Sequence, residues 1–332
     1  MKIKLLLAPA LAGFVFLSTV HAGTIVEDFS HDPSLDGWQM FGDTNLFQWD
    51  SVNHNLRVTW DSSQPNSYFY HPLDTVLGRY DDFSMAFDLV LTDYAIGVTP
   101  GETNTFEVAT GFLNYSEATN SLFLRGSYPT QPDLAEFDFF PSDSEPITNS
   151  INPSFVDSAN DFAYNTYGYV TLPVNVTLRV TVAYTATNQT AVLTVTTNGI
   201  NVVAPSYAYL DYTGGFYTGF GDFHLDTFAV ESYSGVGSYY GSLLAHGTVG
   251  NILLTLPPPP VTLLQPSVAH GVGQVQFNSR TNWNYILESS TDLTTWQTNG
   301  SVVIGTGGSM VLQDTNAAQL HQFYRVNAQR AD

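Results

Sequence analysis

The sequence predicts an all-β protein, a large jelly-roll β-sandwich followed by a small immunoglobulin-like β-sandwich. Three observations carry this expectation. Apolar residues recur with a period of two in one segment after another. Helical periodicity is scarce, while Thr, Ser, Asn and Gly are abundant. An unbroken proline run, Pro257 to Pro260, separates two stretches that each carry the strand pattern. Such a run is stiff polyproline II and donates no ladder hydrogen bonds.

Residues 1–22 read as an export signal. Lys2 and Lys4 form a basic start, Leu5 to Val20 is apolar but short for a membrane span, and Val20-His21-Ala22 offers a cleavage site before Gly23. No later segment is apolar enough to cross a bilayer. The expected product is therefore secreted or held at the cell surface, with a first domain over 23–256, a proline linker over 257–260 and a second domain over 261–332.

The strands follow in order. Leu56, Val58 and Trp60 share one face while Arg57 and Thr59 take the other. Phe83, Met85, Phe87 and Leu89 alternate with Ser84, Ala86, Asp88 and Val90, and Val176, Leu178, Val180 and Val182 alternate with Thr177, Arg179 and Thr181. Ala186 to Gln189 turns the chain back through Val192 to Val195, and Asn198-Gly199 is a strong hairpin-turn dipeptide. A dozen or more such strands cannot form one open sheet and must pack as two layers or close into a barrel. The edges of this domain, Thr24 to Phe29 and Gly250 to Leu256, suit the pairing of first and last strands that jelly rolls often make. In the second domain, strands are expected at Gly273–Phe277, Trp283–Ser289, Ser301–Ile304, Met310–Gln313 and Gln322–Val326, with Trp283, Trp296, Phe323 and Tyr324 as core.

Composition excludes several functions. The chain has 9 Lys+Arg against 30 Asp+Glu and a net charge of −21. Beyond the signal the basic residues are seven arginines, so the remainder carries −23 and no lysine for a Schiff base. It repels nucleic acid and anionic membrane surfaces. Without cysteine there is no disulfide, thiolate nucleophile or cysteine metal site. The eight histidines form no zinc motif, and no GxSxG or phosphate-binding glycine loop appears.

Three segments carry a family resemblance: "EDFSHDPSLDGW", "VTLRVTVAYTATNQTAVLTVTTNG" and "GDFHLDTFAVESYS" with its continuation "HGTVGNILLTL". Over residues 24–256 they resemble the concanavalin A-like lectin/glucanase superfamily, especially its laminin-G-like and legume-type lectin branches. The segments "YILESSTDLTTW" and "FYRV" resemble a short β-repeat at the C-termini of exported bacterial proteins. The first resemblance implies a jelly roll and a polysaccharide or glycan as partner.

The most informative stretch runs from Leu134 to Glu145. On a strand, Glu136, Asp138 and Phe140 share one face, with Phe137 and Phe139 on the other. Two carboxylates about 7 Å apart on one face repel unless something positive lies between them. Three readings stay open. The stretch resembles the acid signature of retaining β-glucanases, but the proton-donor position holds Phe140 or Pro141, and neither can protonate a leaving oxygen. It also resembles the metal loop of legume-type lectins, which implies calcium held by Glu136, Asp138, the Phe140 carbonyl, Ser142 and Asp143. That set falls short of the six to eight oxygens calcium takes. Alternatively, the two acids are solvated on an open concave face with Phe137 and Phe139 in the core.

Asp28, Asp32 and Asp36, which precede Gly37, read as turn formers, with help to a calcium ion at the strand entrance as the alternative. Among the aromatics, Trp38, Trp49 and Trp60 with Tyr68, Tyr70 and Tyr128 are candidates to stack on sugar rings. Trp60 runs in phase with core residues, and Tyr68 and Tyr70 are the better exposed candidates. Tyr68, Tyr70 and Tyr128 with Glu136 and Asp138 make up the expected ligand-binding set. The expected function is an exported, non-catalytic glycan-binding or surface-associated protein. The alternatives are a glycoside hydrolase or polysaccharide lyase, and a structural envelope or adhesion protein that binds no sugar.

Overall fold

The computed structural model describes residues 23–125, 130–141, 149–214, 219–235, 241–269, 272–315 and 323–331. The chain divides into a unit over Gly23–Pro257 and a second containing Pro258–Asp332. The expected signal segment lies outside the described residues; among the described residues no helix is long and apolar enough to cross a membrane.

The first unit is a two-layered antiparallel sandwich. Its ten-stranded sheet runs Tyr164–Asn165, Ser206–Tyr209, Thr190–Thr197, Leu178–Thr185, Phe83–Ile96, Leu243–Thr255, Asn55–Asp61, Phe47–Asp50, with Thr24–Glu27 added on Leu243–Thr255 and Ile200–Asn201 on Thr190–Thr197. The seven-stranded sheet runs Gly168–Tyr169, Ser150–Val156, Leu134–Phe140, Val108–Leu113, Leu225–Ser232, Ser67–Leu77, Gln39–Phe41. The first and last strands pair as the sequence predicts, with Thr24 opposite Thr255 and Glu27 opposite Ile252.

The alternation places the core between the layers. Leu56, Val58 and Trp60 are buried, as are Phe83, Met85, Phe87 and Leu89. Rings from the two sheets meet edge to face across the interface, Phe87 with Phe137 at 5.8 Å and Phe83 with Phe112 at 5.3 Å. Such pairs add about 0.5–1.5 kcal/mol beyond their burial. Asn198 and Gly199 both have positive φ, 49° and 77°, the type I′ geometry that suits the strand twist.

The second unit has two three-stranded sheets. One orders Val261–Ala269, Val272–Ser279 and Ser309–Asp314; the other orders Gln297–Ile304, Trp283–Ser290 and Phe323–Arg330. All five expected strands are present in it, and the sequence analysis missed the one over Val261–Ala269, which breaks register between Thr262 and Gln265 and contains Pro266. Its core is Val275, Phe277, Trp283, Tyr285, Leu287, Met310 and Leu312. Trp296 is only half buried, with the Arg325 guanidinium 4.3 Å above its ring.

Candidate functional site

Because Phe112, Phe137 and Phe139 point into the sandwich, the residues between them point to the outer face of the seven-stranded sheet. Two cross-strand rows result. One reads Asn152, Asp138, Ala109, Glu231, Tyr68, Phe41; the next reads Ser154, Glu136, Gly111, Ala229, Tyr70, Gln39. Ala109 and Gly111 leave room between the acids. At Gly111 a Cβ would lie 2.5 Å from the Ala135 carbonyl oxygen and 2.6 Å from the Glu136 Cα, so only glycine fits.

The outer face is closed, which corrects the expectation of solvated acids. Glu136 is 0% and Asp138 1% exposed. The segment from Asn114 to Arg125 crosses over them. Asn114 caps its short helix by accepting from the Glu117 amide, and its amide group donates to the His224 carbonyl at 3.0 Å. Tyr68 donates to the Ala118 carbonyl at 3.0 Å, Asn66 donates to that of Phe123 at 3.1 Å, and the Phe123 ring stacks on Tyr233 at 5.9 Å.

This cover delivers the positive charge that the acid pair requires. Arg125, 4% exposed, donates from Nη2 to Asp138 at 2.9 Å and from Nε to Glu136 at 3.1 Å, and its Nε lies 3.2 Å from Glu107. Gln131 accepts from Nη1 at 3.3 Å, and the guanidinium sits 5.8 Å from the Tyr233 ring centroid. Tyr233 in turn donates to Glu136. A fourth acid, Glu231, is fully buried, and neither of its oxygens has a hydrogen-bond partner among the described residues.

One cation thus faces four buried carboxylates, and protons must balance the remainder. Burial, with the neighbouring Glu136 and Asp138 charges, pushes Glu231 well above the usual carboxylate range. Burial does the same to Glu107, against the pull of Arg125. Glu136 is pushed up to about 7, burial outweighing Arg125 and the Tyr233 hydroxyl. Burial also raises Asp138. Burial opposes the charge on Arg125, but Glu107, Glu136 and Asp138 outweigh it and keep the guanidinium ionised.

Two further sequence expectations need correction here. The acid pair does have neighbours able to hold a proton, Glu231 on the strand Leu225–Ser232 and Glu107 just before the strand Val108–Leu113, and neither comes from the position of Phe140. Tyr68 and Tyr70 are not open stacking platforms. They are 0% and 7% exposed, and Tyr70 donates to Gln39 at 3.0 Å and packs on Tyr115 at 4.7 Å. Of the tryptophans, Trp38 and Trp60 are core, and Trp49 donates to the Phe29 carbonyl at 3.0 Å. Asp28 and Asp32 accept backbone amides in turns, as expected.

Of the calcium ligands implied by the resemblance, Glu136 and Asp138 are engaged with the Arg125 cation. One oxygen of each acid, Glu136 Oε2 and Asp138 Oδ2, accepts from the Arg125 guanidinium, Glu136 Oε1 accepts from Tyr233, and Phe140 ends the strand half buried. Ser142, Asp143 and Tyr128 lie outside the described residues. Among those described, no group of three or more acid, histidine or cysteine side chains is placed to hold a metal ion.

Partly exposed aromatic surface lies instead at the edge of the other sheet, where Tyr164, Tyr207 and Tyr209 are half buried. Tyr164 pairs across strands with Tyr209, their rings stacked at 6.1 Å; Tyr164 also stacks on Tyr212 at 4.5 Å, and Tyr207 on Tyr209 at 5.8 Å. Tyr212 is 44% exposed, and Tyr167 and Tyr169 nearby in sequence are 55% and 62% exposed. The sequence signal was the run Ser206-Tyr207-Ala208-Tyr209, whose period of two sends both tyrosines to the solvent side.

Comparison with known proteins places this geometry only loosely. No protein family and no curated protein matches the chain. Among solved structures, a legume lectin-like domain from Entamoeba histolytica aligns at 10% identity and TM-score 0.38, over 69% of this chain and 95% of that one. Lectin II from Ulex europaeus aligns at 10% identity and TM-score 0.42, over 70% and 98%. Lectin I from the same plant, in complex with the methyl glycoside of α-L-fucose, aligns at 11% identity and TM-score 0.41, over 71% and 99%. These are remote likenesses in outline, and what those lectins bind does not pass to this chain on them.

Proposed function

We propose that the chain is an exported, non-catalytic protein that binds an uncharged glycan at the tyrosine-lined edge of the ten-stranded sheet. The stacked Tyr164, Tyr207, Tyr209 and Tyr212 carry this reading. Aromatic rings offer apolar surface to the CH faces of sugars and a hydroxyl to their oxygens. The charge selects the glycan class, since a chain of net charge −21 repels polyanionic polysaccharides. Export rests on the N-terminal sequence and suits a chain that needs no disulfide. The expected result in affinity electrophoresis is retardation by one or more soluble uncharged polysaccharides. The Tyr207→Ala/Tyr209→Ala variant loses roughly tenfold or more in affinity, about 1 kcal/mol per ring. Retardation unchanged in that variant would place the site elsewhere.

A second reading, a glycoside hydrolase or lyase, is favoured by one observation, the buried Glu107 and Glu231 beside Glu136. It requires the Asn114–Arg125 cover to leave the acids during turnover. Release of reducing sugar from a polysaccharide panel, abolished in Glu136→Gln, would establish it.

A further inference from the structure

The tyrosine edge continues into a stretch of the sheet's outer face that carries few charges. One row across six strands of the ten-stranded sheet reads Thr24, Thr255, Ser84, Ala183, Val192, Tyr207. The row beside it contains the pair Thr181 and Thr194, and on the other side Thr185 pairs with Thr190, which pairs with Tyr209. The alternation sends all of these outward, since Val180, Val182, Leu193 and Val195 between them are buried. Ion pairs border this stretch: Arg179 with Asp88 beside it, and His246 with Asp93 and Arg57 with Asp50 farther along the same sheet. Arg179 donates to Asp88 at 3.1 Å, and Asn251 donates to the other Asp88 oxygen at 2.7 Å.

This face is unusual for its setting. Only four of the chain's 30 acids, Glu288, Asp292, Asp314 and Asp332, lie beyond the proline run, so the first unit carries the other 26 with four arginines. A surface drawn at random from it would be strongly negative. Small threonine, serine, alanine and valine side chains also make the face smooth, with neighbours about 4.8 Å apart across strands and about 7 Å along them. Single sugars are usually held in concave sites where a few polar groups converge. A smooth, regular face with few charges instead suits a partner that is itself extended, regular and uncharged, held by many weak contacts.

We infer that the tyrosine-edged half of the ten-stranded sheet's outer face, around Ser84, Ala183, Thr194 and Tyr207, docks onto the surface of an insoluble uncharged polysaccharide and not onto isolated oligosaccharides. This rests on the glycan-binding reading above and narrows its ligand. The rows supply hydroxyls and methyls at regular intervals, and the tyrosines at one border supply ring faces. The rest of the acidic surface opposes competing anionic polymers.

The test uses the full chain mixed with microcrystalline cellulose and, separately, with chitin, measuring depletion of protein from solution. Matched soluble oligosaccharides are titrated in parallel. The variant Thr194→Arg places a long charged side chain mid-face at a position already turned to solvent, and circular dichroism checks that it folds. The expected result is depletion by at least one solid, at least tenfold weaker for Thr194→Arg, with soluble oligosaccharides binding more weakly than the solid. Binding of soluble sugars without retention on any solid would overturn the inference while leaving the glycan reading intact. Silence on both would remove both. Retention unchanged in Thr194→Arg would exclude this face. A wild-type dimer in sedimentation velocity that Thr194→Arg dissociates would assign the face to a second copy of the chain instead.

Discussion

Replacing Arg125 with methionine is expected to lower the unfolding free energy by about 3–5 kcal/mol, the usual cost of removing one partner from a buried charge cluster. The effect is large because one side chain serves three acids. Nη2 and Nε bond Asp138 and Glu136, and Nε also lies 3.2 Å from Glu107. Without it, four carboxyl groups remain buried with no cation, and each must hold a proton or open the cover. Loss of the Tyr233 contact adds a smaller penalty. Urea unfolding followed by tryptophan fluorescence measures the change, with Trp38 and Trp60 in the core as reporters. Adding Glu136→Gln and Asp138→Asn to the same background should recover part of the loss, since neutral amides relieve the uncompensated charge. A loss under 1 kcal/mol for Arg125→Met alone would mean that the guanidinium does not hold the cluster together.

Stability should also fall as the solution is made alkaline. Glu136 is raised from 4.5 to about 7 by burial. A carboxyl raised on folding binds more protons in the native state than in the unfolded one. Its contribution is therefore fully present below about pH 4.5 and is lost as pH rises through 7. For Glu136 alone this amounts to about 3 kcal/mol. Glu107 and Glu231, raised further by burial, extend the decline above neutrality. Thermal unfolding between pH 5 and pH 9 should show a falling midpoint, and Glu231→Gln should flatten the alkaline part of the curve. A midpoint that rises over this range would show that the four acids are ionised and otherwise compensated.

Much of the fold was legible because strand alternation is a direct record of burial. The phases of Leu56, Val58 and Trp60, and of Phe83 to Leu89, fix which side chains enter the core. The site was legible in part. Repulsion between Glu136 and Asp138 demanded a cation, and one is present. Its identity was hidden because Arg125 comes from an irregular segment, where no periodicity links position to direction. Glu107 and Glu231 were hidden for a related reason, since cross-strand neighbours are set by sheet order rather than by sequence spacing. The Asn114–Arg125 cover also explains the misplaced tyrosines. Tyr68 and Tyr70 sit on the solvent side of their own sheet, as alternation says, but a second layer of chain closes over them. In the strand Val108–Leu113 the outer phase carries the small residues Ala109 and Gly111, and the place of a Gly111 Cβ is taken by the neighbouring strand at Ala135 and Glu136.

The proposed division of labour between a closed acid cluster and a half-exposed tyrosine edge is tested most directly by Glu136→Gln. Its affinity for an uncharged polysaccharide should match that of the wild type, and its stability should depend less on pH near neutrality. Loss of sugar binding, or of a glycan-cleaving activity, in a Glu136→Gln protein that keeps its circular dichroism spectrum would contradict this account and make the cluster the working site.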